Sequence, residues 1–243
     1  MLSMFLGELF GTFLMVLLGN GVVANVLLNR SKGIHGGWVV VSFGWGFAVA
    51  IAVYLVGFLS GAHLNPAVTL AFALSDPIIW PLVPMYFAGQ MLGAILGAFG
   101  VWLTYYPHFK ATRDAHFRLL CFSTVPAIRN FKWNIVTEVI ATAVLILGLF
   151  GIIAAHNHLS SGLGPYLVGI LIVAIGLSLG GPTGYAINPA RDLGPRLAYT
   201  ILYGRKTADW SYAWIPVLAH FIGSLLGFGL YKVLFGFILS QTP

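Results

Sequence analysis

Six apolar runs dominate the chain, at roughly 4–27, 38–59, 81–105, 132–154, 165–181 and 211–237, each near the ~20 residues that cross a hydrocarbon core as a helix. The polar interruptions are placed in a repeating way. One short segment around Asn65 lies between the second and third runs, and another around Asn188 lies between the fifth and sixth. Each holds an Asn-Pro pair. Asn is a good helix N-cap, and Pro at the first helical position lacks only an N–H that has no intrahelical partner there. Two further helices are therefore predicted, over about 65–76 and 188–201, both too short to span a bilayer. The first is stopped at Ser75-Asp76-Pro77.

The two short segments are copies of each other. Ser60-Gly61-Ala62-His63-Leu64-Asn65-Pro66-Ala67-Val68-Thr69 lines up with Thr183-Gly184-Tyr185-Ala186-Ile187-Asn188-Pro189-Ala190-Arg191-Asp192. Glu8 in the first run likewise matches Glu138 in the fourth, so each half reads as span with an acidic residue, span, half-helix, span. Three spans per half turn the second copy upside down. The expected architecture is an all-α membrane protein: six transmembrane helices plus two re-entrant half-helices in an inverted repeat. Such repeats place their site near the bilayer midplane, where broken helices meet. The repeats cover about 4–105 and 132–237, joined by a linker over about 106–131, and the whole of 1–243 is read as a single domain.

Composition narrows the class further. The chain is 59% hydrophobic and 7% charged, against about 25% charged in soluble domains, which makes it a multi-pass integral membrane protein surrounded by lipid. Its net charge of +6 is read as basic residues flanking the spans. No basic stripe stands beside an aromatic module, so nucleic acid is not an expected partner. The single Cys121 excludes an intramolecular disulfide. Met1-Leu2-Ser3-Met4-Phe5 carries no Lys or Arg, and Glu8 interrupts the apolar run, so the first span is expected to stay in the membrane.

The chemistry gathers at the copied motif. The half-helices should enter from opposite faces and meet at their N-termini, each presenting unpaired N–H groups and about half an elementary positive charge. With their oxygens used for capping, Asn65 and Asn188 would point NH₂ groups into a pore. The preceding Gly61, Ala62, His63, Leu64 and Gly184, Tyr185, Ala186, Ile187 are expected to be extended and to offer successive carbonyls to a solute. Arg191 can pair with its neighbour Asp192 or line the pore; the adjacent positions face about 100° apart on a helix, and a charge at this depth marks a pathway by default. Glu8 and Glu138 can carry protons or accept N–H groups of the broken segments. Their repeat-related positions favour support. His156 and His158 lack the further ligands a metal needs.

The chain resembles the major intrinsic protein family, and within it the glycerol facilitators or aquaglyceroporins. The likeness runs over about 4–236 and is carried by the Ser60–Thr69 segment, by Asn188-Pro189-Ala190-Arg191-Asp192 and by Glu8. Asp192 after the Arg, with Arg196 and Pro216-Val217, is similar to the glycerol-type members. The resemblance implies NPA motifs at Asn65, Pro66, Ala67 and Asn188, Pro189, Ala190, and a selectivity filter of Trp45, Gly176, Tyr185 and Arg191. It implies support from Glu8, Glu138 and Asp192. Tyr185 stands where Phe is expected, which implies a more polar constriction, and His220 stands where a small residue is usual. The basic flanks would be cytoplasmic by the positive-inside rule, whereas the family topology implies the reverse.

What the resemblance implies is a passive cell-membrane channel for glycerol, water and other small uncharged solutes, with ions and protons excluded, assembled as a homotetramer and needing no cofactor. Dihydroxyacetone and undissociated lactic acid fall in the same size class. The alternative is a secondary transporter of a small polar solute, since inverted repeats and broken helices build those too. An enzyme is not expected, because no nucleophile–base or paired-carboxylate spacing is recognisable.

Overall fold

A computed structural model describes residues 1–154 and 157–236. The helices, in order, are α1 (Leu2–Leu27), α2 (Gly37–Ser60), α3 (Pro66–Ser75), α4 (Val83–Thr104), α5 (Tyr106–Ala111), α6 (Ala115–Leu120), α7 (Phe131–Ile153), α8 (Leu163–Leu179), α9 (Pro189–Tyr203) and α10 (Trp210–Tyr231). A 3₁₀ turn at Pro77–Leu82 leads into α4, and a π-helical turn at Lys232–Gly236 follows α10. Five of the long elements are long and apolar enough to cross a membrane, and α8, at 17 residues, is the shorter sixth. The predicted half-helices are present as α3 and α9, the latter ending two residues later than expected. The last position of the sixth predicted run, Phe237, and the discounted His156 lie outside the described residues.

The two halves interlock. Helix α1 packs on α2 and α4, and its repeat mate α7 packs on α8 and α10. The half-helices cross over: α3 packs on α10 and α9 on α4, so each short helix is seated by the closing span of the opposite half. Close approach of α1 to α4 depends on glycine. A β-carbon at Gly93 would stand 2.3 Å from Leu9 O, and the repeat-related Gly223 would place one 2.7 Å from Val139 O. Small residues let backbones touch where burial against water supplies no driving force between helices.

The linker is more than the plain connection the sequence suggested. It folds into α5 and α6 and buries Phe109, Leu119, Cys121 and Phe122 against the bundle. Asn20 Nδ2 of α1 donates to Phe122 O at 2.9 Å, and Asn29 N donates to Thr112 Oγ1 at 2.9 Å. Apolar residues spaced between polar ones give the linker its own buried face, which a reading by span length overlooks.

Candidate functional site

Each half-helix starts as its sequence predicts, and the starts are tied to each other. Asn65 is extended (φ −160°) and its Oδ1 accepts from Ala67 N at 2.9 Å. Asn188 (φ −154°) accepts from Ala190 N at 3.0 Å and Arg191 N at 3.1 Å. Pro66 and Pro189 occupy the first helical positions. The amide NH₂ groups differ from the expectation. Asn65 Nδ2 donates to Ile187 O and Asn188 Nδ2 donates to Leu64 O, both at 2.8 Å. One N–H of each amide thus joins the halves, which leaves one N–H per Asn. The carbonyls of Leu64 and Ile187 accept these bonds.

The segments before the Asn residues are not simply extended. Gly61, Ala62 and Leu64 have φ of +78°, +52° and +54°, and Gly184, Tyr185 and Ile187 have +86°, +39° and +43°. Left-handed conformations at non-glycine residues cost about 1–3 kcal/mol each and persist where surroundings over-determine them. Here two buried carboxylates do so. Glu8 Oε1 accepts from Ser60 Oγ (2.7 Å) and His63 N (2.9 Å), and its Oε2 from Leu64 N and Gln90 Nε2 (both 2.7 Å). Glu138 accepts from Ala186 N (3.0 Å), Ile187 N (3.1 Å) and His220 Nε2 (2.9 Å). The backbone coils so that successive N–H groups reach one carboxylate. His63 itself is stacked between Phe72 and Tyr86, with ring centroids 4.6 and 4.4 Å away.

Two cavities meet at this centre. One, of about 240 Å³, is lined by Gly61 through Asn65, by Ala186, Ile187 and Asn188, and by apolar side chains such as Val49 and Ile172. The other, of about 450 Å³, is lined by Gly184, Trp38, His116 and Ser123 through Ala127 of the linker. Trp45, Tyr185 and Arg191 line both. They are the boundary between the two spaces. The Arg191 guanidinium lies 4.2 Å from the Trp45 ring centroid and donates through Nη1 to Phe122 O at 3.3 Å. Its other N–H groups have no side-chain or backbone partner among the described residues.

Asp192 does not pair with Arg191. It takes Arg196 (2.8 Å) on Oδ1 and Thr124 N (2.7 Å) and Oγ1 (2.6 Å) on Oδ2. Arg196, fully buried, also donates to Thr124 O and Ala208 O, both at 2.8 Å. The charge of Arg196 is thereby matched within the fold, while that of Arg191 is left facing the junction. Gly176 lies beside the Tyr185 ring. It lines neither cavity, because the Tyr185 phenol fills the room beside it: a β-carbon at 176 would stand 2.8 Å from Tyr185 Cζ.

Residues 1–231 match the family model described as Major intrinsic protein. The chain belongs to the major intrinsic protein family. It is 54% identical to the probable glycerol uptake facilitator protein of Thermotoga maritima, over 96% of this chain and 100% of that one. It is 50% identical to the glycerol uptake facilitator protein of Bacillus subtilis, over 99% of this chain and 88% of that one. Among solved structures it is similar to the aquaglyceroporin from Plasmodium falciparum, with a TM-score of 0.90, 30% identity and 99% of both chains covered.

Within this major intrinsic protein, several partners escaped the sequence reading. His220 and Gln90 hold repeat-related carboxylates from repeat-related positions on α10 and α4, each 82 residues from its Glu. That shared spacing was available in the sequence. Thr124 and Phe122 carried no local signal, since nothing in the linker's composition announces that it reaches Asp192 and Arg191. Among the described residues no group of three or more His, Cys, Asp or Glu is arranged to hold a metal.

Proposed function

We propose that the chain is a passive channel for glycerol, water and other small uncharged solutes. The single observation that carries this reading is the junction of two cavities at Trp45, Tyr185 and Arg191, beside the meeting N-termini of α3 and α9. The relatives named as glycerol uptake facilitators and the aquaglyceroporin likeness support glycerol as the solute. Trp45 and Tyr185 form the apolar wall for a carbon backbone, and Arg191 donates to hydroxyl oxygens. The remaining amide N–H of Asn65 and of Asn188 orients a passing oxygen. The backbone around Gly61, Ala62, His63, Leu64 and Gly184, Ala186, Ile187 supplies the acceptors that a dehydrated hydroxyl needs. Gly176 shapes this filter through Tyr185 rather than by facing the solute.

Ions are excluded by the same parts. Opposed helix termini and an unmatched Arg make the centre electropositive, which repels cations and breaks a chain of proton-passing waters. An anion is attracted but must lose hydration worth tens of kcal/mol by Born estimates. Glu8 and Glu138 are unsuited to carry protons in a coupled cycle, since their oxygens are committed to fixed donors. The protein lies in membrane lipid, and the family resemblance supports a homotetramer with one pore per subunit. No cofactor or catalytic step enters this reading. Stopped-flow light scattering on proteoliposomes tests it: shrinkage in a glycerol gradient should be followed by protein-dependent reswelling, and its absence contradicts a glycerol channel.

A further inference from the structure

The Tyr185 side chain lies in a groove on α8, with its hydroxyl turned to the groove floor. A β-carbon at Gly180 would stand 2.6 Å from Tyr185 Cδ1, and one at Gly176 would stand 2.8 Å from Cζ and 3.0 Å from the hydroxyl oxygen. Two glycines one helical turn apart therefore run beneath the length of the ring. Trp38 of α2 closes one side, edge-on to the phenol with centroids 5.6 Å apart and planes at 77°, and its Nε1 donates to Gly176 O at 2.7 Å. Ser42, one turn further along α2, completes the floor: the β-carbon position at Gly176 is 2.9 Å from Ser42 Oγ. The Ser42 proton goes to Trp38 O at 3.0 Å, which leaves its oxygen free to accept.

The Tyr185 hydroxyl is buried with no hydrogen-bond partner among the described residues, and Ser42 Oγ lies beside it, the β-carbon position at Gly176 being 3.0 Å from the one and 2.9 Å from the other. Ser42 lines neither cavity. We propose that Ser42 is a positioning residue for solute selection: it receives the Tyr185 hydroxyl in the Gly176–Gly180 groove and so fixes the distance of the aromatic wall from Trp45 and Arg191. A phenylalanine in the same place would have nothing to anchor. The tyrosine thus acts through its seat, and its hydroxyl does not contact the solute. This assignment rests on the channel reading given above.

The test compares wild type with Ser42→Ala, Ser42→Thr, Tyr185→Phe and the Ser42→Ala/Tyr185→Phe double variant in proteoliposomes. Fluxes of glycerol and of the four-carbon polyol erythritol are measured together with osmotic water permeability and are normalised to incorporated protein. With the ring unanchored in Ser42→Ala, the erythritol-to-glycerol flux ratio should rise by about two- to tenfold, the range that loss of one hydrogen bond allows. Ser42→Thr, which keeps the acceptor, should restore the wild-type ratio. In the Tyr185→Phe background, Ser42→Ala should change the ratio no further. An unchanged ratio in Ser42→Ala overturns the proposal, and so does an equal effect in both backgrounds. Wild-type vesicles that admit no glycerol contradict the channel reading instead, which separates the two failures.

Discussion

Asn65 and Asn188 hold each other's approach segment: each gives one side-chain N–H, at 2.8 Å, to the carbonyl of the residue just before the other. Capping and cross-linking are thereby done by the same two side chains. The N-termini of α3 and α9 are fixed against each other without a charge at the contact, so the charge placed there is that of the helix ends and of Arg191.

Removing either amide should therefore weaken both halves. Asn65→Ala and Asn188→Ala each lose a cap, worth about 1 kcal/mol, and one of two reciprocal bonds worth about as much. Each variant should melt earlier in detergent and pass less glycerol. The double variant should cost less than the two losses added, because the first substitution already lets the segments part. Strict additivity in thermal unfolding would show that the two bonds are independent.

His220 should be replaceable by the residue that its repeat mate uses. Glu8 is held by Gln90 Nε2 and Glu138 by His220 Nε2. His220→Gln should keep glycerol flux and melting temperature close to wild type. His220→Leu leaves a buried carboxylate short of a donor and should cost about 1.5–3 kcal/mol of stability. Equal melting of the Gln and Leu variants would mean that the bond to Glu138 is not what position 220 provides.

Gly176→Ala should narrow the passage. The added methyl would sit 2.8 Å from Tyr185 Cζ and 2.9 Å from Ser42 Oγ, so the ring must move away from α8, toward the junction. Overpacking of this kind costs about 1–3 kcal/mol. Glycerol flux should fall more than water permeability, since water needs less width. Equal losses of both would point to general unfolding of the bundle rather than to a displaced wall.

Much of this was legible because the repeat is written twice. The paired motifs, Glu8 with Glu138, and the half-helix starts follow from residue type and spacing. The left-handed backbone at Ala62, Leu64, Tyr185 and Ile187 was not legible, since these residues disfavour positive φ and adopt it where Glu8 collects the N–H groups of His63 and Leu64 and Glu138 those of Ala186 and Ile187. What lies beside Gly176 was not legible for a related reason. A missing side chain announces space, but not which neighbour fills it. The linker's part in holding Asp192 and Arg191 depends on contacts about 70 residues apart, which no local pattern encodes.

Outside the membrane, Asp209 should contribute stability that acid removes. Burial raises its pKa, but the bond to the Arg129 guanidinium and the Ser211 hydroxyl outweighs that and holds it below the ordinary aspartate value. A folded pKa lowered in this way gives stability that is present above the unfolded value, near 3.9, and is lost as pH falls through the folded one. The pair is partly exposed, so the effect is at most about 1 kcal/mol. Asp209→Asn should lower the melting temperature at pH 7, and the gap to wild type should close as pH falls through the lowered folded pKa. A gap that persists in acid would contradict the assignment.

The central claim is passive conduction through a junction closed to ions. Glycerol flux into proteoliposomes, followed with and without an imposed proton or sodium gradient alongside a pH dye inside the vesicles, tests it most directly. Glycerol should equilibrate at a rate independent of either gradient, with no protein-dependent proton entry. Accumulation of glycerol above its external concentration, or proton entry that rises with glycerol flux, would contradict the channel and favour a coupled transporter.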